Sequence, residues 1–118
     1  MSSVKEVANN LVNFCRQGQF QDAIAELYHD DILSIEQSEN YTETVGKQAV
    51  LAKAKKFDND VEMIESYHCS DPVYSDKGFA DSMLMHVKLK DNAEAIRMSE
   101  LALYDVVDGK IIKEQFFY

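Results

Sequence analysis

Tryptophan is absent, proline occurs once, and glycine occurs only four times in 118 residues. With so few breakers and no repeat or low-complexity stretch, nothing marks an internal boundary. The length suits one domain, residues 1–118, with one real core. Two cysteines, Cys15 and Cys69, are too few for a disulfide framework and predict a reducing compartment, hence a cytoplasmic protein. No apolar run approaches the roughly 18 residues a membrane span needs. Lys5, Glu6, Asn9 and Asn10 leave no apolar block for a targeting segment. Cations are also scarce, 12 Lys and Arg against 21 Asp and Glu, for a formal charge of -9. That balance opposes phosphate backbones and anionic lipid, so neither nucleic acid nor membrane is an expected partner. A glycine-rich phosphate loop, a G-x-S-x-G elbow and a basic-aromatic patch are all missing, and with them the minimal parts of nucleotide, acyl-serine and RNA chemistry.

What is present is clearest in the last twenty residues. Two strand-like runs meet at Asp108-Gly109, a pair that tolerates the positive φ of a tight hairpin. Alternation along Ala95 to Val107 puts Ile96, Met98, Glu100, Ala102, Tyr104 and Val106 on one face, with Leu101, Leu103 and Val107 on the other. A carboxylate therefore stands in an apolar row. Upstream, Val4, Val7, Ala8, Leu11, Val12 and Cys15 recur at helical spacing. Ser3 and Glu6 match a capping box, and Gly18 sits at a left-handed stop. Phe20, Ala23, Ile24, Leu27 and Tyr28 predict a second helix that His29, Asp30 and Asp31 end. Ile32 to Glu36 reads as a short strand and Gln37 to Thr44 as a loop. A third helix carries Val50, Ala54 and Phe57. Val61 to Cys69 and Phe79 to Leu89 read as strands, the second with Phe79, Met83, Met85, Val87 and Leu89 in one row.

Three helices ahead of a mostly antiparallel sheet give an α+β class in which a strongly curved sheet packs on the helices as a conical barrel. The apolar outer face, with Leu101 and Leu103, predicts a homodimer through that sheet face.

The element order, the segment LYHDDILSIE at 27–36 and the ending SELALYDVVDGKIIKEQFFY together resemble SnoaL-like proteins of the nuclear transport factor 2-like superfamily. The resemblance covers nearly the whole chain. It implies the cystatin-like α+β cone, an apolar cavity at its open end, pairing through the outer sheet face, and a range of isomerase, cyclase, dehydratase and non-catalytic functions. Set against ketosteroid isomerase-like members, the pair Asp30-Asp31 puts Glu36 at the general-base position. The same alignment puts Leu11 where those isomerases have a tyrosine donor, and Glu100 or Leu101 at their acid, so a complete steroid isomerase site is absent.

Glu36 and Glu100 are the candidate catalytic carboxylates, since burial and proximity would push two such groups apart in titration. Each also has a plainer reading. Glu36 faces solvent if Leu33 and Ile35 face inward, and Glu100 is a core carboxylate if Arg97, an amide or Tyr104 satisfies it. Phe57, Met83, Met85, Met98, Tyr104 and Phe116 are the candidate pocket wall, and the same residues would also serve as core. Met63, Phe79, Phe117 and Tyr118 extend that set. His68 joins the pocket candidates as a proton shuttle, against a half-exposed strand histidine. His68 and Cys69 point to opposite faces, and His29 and His86 show no ligand spacing with them, so no metal site is expected. No cofactor is called for, and the expected partner is a small apolar or amphipathic molecule.

Overall fold

The computed structural model describes residues 3–118. Ser3 caps the first helix, α1 (Val4–Arg16), by accepting from the Glu6 amide while the Glu6 carboxylate reaches back to the Ser3 amide. This reciprocal box satisfies two amide donors that the first turn leaves without partners. Val7, Ala8, Leu11, Val12 and Cys15 form its buried stripe. Gly18, at φ +72°, reverses the chain, and α2 (Phe20–Leu27) folds back against α1.

The second helix stops at Leu27, and the chain passes directly into β1 (Tyr28–Gln37). His29, Asp30 and Asp31 lie in this strand, exposed, so β1 has twice the five residues that Ile32 to Glu36 alone predicts. The polar stretch after it holds a short strand, β2 (Thr42–Val45), before α3 (Lys47–Asp60). The remaining strands are β3 (Val61–Cys69), β4 (Val73–Tyr74), β5 (Gly78–Leu89), β6 (Ile96–Val107) and β7 (Lys110–Phe117). Short β2 and β4 escape a reading by pattern because they bury almost nothing.

The strand order is β2-β1-β7-β6-β5-β3, with β4 on β5. The β1–β7 pairing is parallel and the other described pairings are antiparallel. The β6–β7 hairpin turns at Asp108 and Gly109, with φ of +51° and +76°, the conformation an Asp-Gly turn is chosen for. Helix α3 touches both β1 and β3, which stand far apart in the strand order, so the sheet must curl around the helices. The result is the expected α+β architecture with a mixed, unclosed sheet.

Strand β6 alternates as its sequence predicts. Ala102, Tyr104 and Val106 are buried, whereas Leu101, Leu103 and Val107 are exposed on the outer face. The core lies between the inner sheet face and α1 and α2, around Leu11, Ile24, Ile32, Tyr104 and Ile111.

Candidate functional site

Register across the sheet decides which inward side chains meet. On the inner face Ser34 of β1 pairs with Glu114 of β7, which pairs with Tyr104 of β6, which pairs with Phe79 of β5. The next inward row, two residues along, reads Glu36, Phe116, Ala102 and Asp81. Beyond it Glu100 pairs with Met83, and Met83 with Cys69. Parallel β1–β7 pairing beside antiparallel β7–β6 pairing thus brings Glu36 and Glu100 to the same end of the inner face.

Between this face and the helices lies a cavity of about 440 Å³, within the range of small-molecule sites. Glu36 and Glu100 both line it, so Glu36 belongs to the inward row with Ser34 and Ile32. Phe57, Met83, Met85, Met98, Tyr104 and Phe116 line it too, joined by Tyr118 and by Leu11 from α1. His68 does not. It is exposed on β3, where alternation turns it away from the inward Tyr67 and Cys69. Met63, at 52% exposure, lies outside as well, Phe117 is exposed, and Phe79 is buried in the core away from the cavity.

Polar groups inside the cavity are few and specifically placed. The Lys53 ammonium of α3 lies 3.7 Å from the Glu36 carboxylate and 3.5 Å from Ser34 Oγ. Tyr118 donates its hydroxyl to Glu36 at 3.5 Å and lines the cavity beside Glu100. Glu100 has its carboxyl pushed up to about 7, first by burial, then by repulsion from Glu114 and Asp81; the Tyr118 hydroxyl opposes the rise. At neutral pH it is poised between acid and base.

Deeper in the cone, Tyr28 donates its hydroxyl to Glu114, which is 2% exposed. Burial raises the Glu114 carboxyl, and hydrogen bonds from Tyr28 and Ser34, with the nearby Lys53 charge, hold the rise back. The same burial and the adjacent Glu114 lift the Tyr28 phenol well above its ordinary value, so it stays a donor.

Glu114, Tyr28 and Lys53 were not among the residues singled out by sequence, although each carried a signal. Lys53 follows Val50 by three on the face shared with Phe57. Glu114 stands two before Phe116 in the same row. Tyr28 reads as the last apolar residue of α2 because its position closes that helix, and it serves as the helix C-cap. Among the described residues, no group of three His, Cys, Asp or Glu side chains is placed to hold a metal ion.

Comparison with known proteins agrees with this fold. No curated protein matches the chain. Among solved structures, a candidate SnoaL-like polyketide cyclase from Mesorhizobium loti is 28% identical, superposes with a TM-score of 0.90, and is matched over 99% of this chain and 100% of its own. A candidate SnoaL-like polyketide cyclase from Jannaschia sp. CCS1 is 12% identical, with a TM-score of 0.77 over 99% and 88% of the two chains. A candidate isomerase from Rhodopseudomonas palustris is 14% identical, with a TM-score of 0.72 over 98% and 90%. At those lower identities the likeness is one of fold. The family description SnoaL-like domain matches residues 2–118, essentially the whole sequence, and the chain belongs to that family.

Proposed function

We propose that the cavity binds a small, mostly apolar molecule and performs carboxylate-driven proton transfer of the isomerase, cyclase or dehydratase kind. One observation carries this reading: Glu36 and Glu100 project from different strands into one apolar cavity, which Tyr118 also lines. Glu36 is the base, its carboxylate held by Lys53. It takes a proton from an activated carbon of the substrate. The electron pair of the broken C–H bond moves into the substrate's conjugated system, and Glu100 returns a proton elsewhere or steadies the charge that develops. The step is redox-neutral. A carboxyl near 7 suits the donor role, because it offers a proton at neutral pH without holding it too tightly.

The test is solvent deuterium exchange at activated C–H positions in a panel of cyclic ketones and β-dicarbonyls, followed by NMR. Protein-accelerated exchange that Glu36→Gln lowers at least about a hundredfold, the scale of a lost general base, supports the reading. Exchange that Glu36→Gln and Glu100→Gln leave unchanged contradicts it.

A second reading, a non-catalytic ligand-binding or dimerisation module, draws on Leu11. This residue lines the cavity where related isomerases place a tyrosine donor, so α1 supplies no polar group to a substrate there. Tight binding of a cavity ligand without any exchange activity would favour it.

We also propose that the protein is a cytoplasmic homodimer paired through the outer sheet face. Leu101, Leu103, Val107 and Phe117, on neighbouring strands β6 and β7, are between 39% and 51% exposed, an apolar surface that a second copy would cover. Light scattering at micromolar concentration should give twice the chain mass of 13.5 kDa, and a strictly monomeric mass would refute the pairing.

A further inference from the structure

The charges that line the cavity are nearly all matched. Lys56 pairs with Asp60 at 2.7 Å, Lys53 lies 3.7 Å from Glu36, and Glu114 is hydrogen-bonded by Tyr28 and Ser34. Glu100 is the exception. The groups that act on it are Glu114 from β7, Tyr118 just past the end of that strand, Asp81 from β5 and Glu36 from β1, three carboxyls and a hydroxyl. Cys15 of α1 and Tyr67 of β3 lie within its field, and neither brings a cation. Asp81 adds to the imbalance: it is 3% exposed, its Oδ1 has no hydrogen-bond partner, and it stands two residues before Met83, the register partner of Glu100. A carboxylate taken out of water among other carboxylates is costly unless something positive meets it.

The walls around Glu100 have the complementary property. Phe20 and Phe57 pack edge to face with centroids 6.5 Å apart, as do Tyr104 and Phe116 at 6.4 Å, and three methionines complete the lining. Ring faces attract a poorly hydrated cation, and thioethers adapt to irregular apolar bodies. An anionic ligand would meet repulsion from the acids, and a neutral one would leave the ionised form of Glu100 without a counter-charge.

We infer that the molecule this cavity accepts is a lipophilic amine, bound in its ammonium form with the cationic nitrogen at Glu100 and the apolar body against the aromatic and methionine wall. The inference rests on the reading of the cavity as a ligand site. It gives Glu100 the role of electrostatic partner and leaves proton abstraction to Glu36. Binding should strengthen as pH rises, because the ionised Glu100 is the form that attracts the cation.

Benzyltrimethylammonium, a permanent cation, and neopentylbenzene, its neutral carbon isostere, separate charge from shape. Their binding is followed by NMR titration of the methionine methyl groups. The cation should bind at least about tenfold more tightly at pH 8.5 than at pH 5.5, since Glu100 passes from mostly protonated to mostly ionised across that range. It should also outbind the isostere at pH 8.5. Glu100→Gln should remove that preference and leave the isostere's affinity unchanged, while Glu36→Gln retains the preference. Equal or tighter binding of the neutral isostere to the unmodified protein would overturn the inference and leave the ligand site standing. A preference that survives Glu100→Gln would overturn the assignment to that residue. If neither probe shifts the methionine methyls, the ligand-site reading falls, and the inference with it.

Discussion

Two buried carboxyls on the inner sheet face, Glu114 toward the β1 side and Asp81 toward the β3 side, are almost equally hidden at 2% and 3% exposure, yet their surroundings differ. Glu114 has the Tyr28 phenol, the Ser34 hydroxyl and, nearby, the Lys53 ammonium. Asp81 has the Cys69 thiol at 3.4 Å on one oxygen and nothing on the other. A thiol is a weak donor. Burial raises both carboxyls, but donors and a cation restrain Glu114, whereas Asp81 is restrained only by Cys69 and the field of Arg16. Arg16 is itself engaged with Asp71 at 2.7 Å and the Cys69 carbonyl. The difference teaches that burial alone does not make a site. The side with a full set of donors lines the cavity, whereas Asp81 stands outside its lining.

Three substitutions sharpen that contrast. Tyr28→Phe should have the largest effect, a loss of about 2 kcal/mol in chemical denaturation, because it removes a donor from a buried acceptor. It should also push the Glu114 carboxyl further up. Asp81→Asn should act in the opposite direction at high pH. A carboxyl raised in the folded state supports folding fully below its unfolded value near 3.8, and that support is lost as pH rises through the folded value. Asp81→Asn should therefore exceed the parent stability by about 1 kcal/mol at pH 8, with the gap closing toward pH 4. Cys69→Ser should give the smallest change, within about 0.5 kcal/mol, with the stronger hydroxyl donor offset by lost packing. If Asp81→Asn proves as costly as Tyr28→Phe, the two carboxyls are equivalently satisfied and the comparison fails.

Much of this arrangement was legible in the chain. Strict alternation along β6 placed Glu100 among apolar neighbours and put Leu101 on the other face, and Asp108-Gly109 fixed the hairpin. Helix α1 was equally clear from its capping box and its 3.6-residue stripe. Glu36 was ambiguous because β1 buries both Ser34 and Ile35, so neither alternate row stands out. Glu114 was harder still. The β6–β7 register slips between Asp105 and Val106, so Ile111 and Glu114 are both buried although three residues apart. A simple period of two carried forward from Ile111 gives Lys113 instead. Asp81 lay in plain phase with Phe79 and Met83, and only its charge argued against the core. His68 was misplaced for the reverse reason: its chemistry suggested the cavity, and its strand phase turned it outward.

The central claim is that Glu100 stands inside an apolar cavity with other carboxyls nearby. Its titration by carboxyl carbon NMR, in protein free of added ligand, tests this most directly. A midpoint near 7 is the result the account predicts. A midpoint near the ordinary 4.5 would place Glu100 in contact with solvent or a cation, and would contradict its proton-donating role.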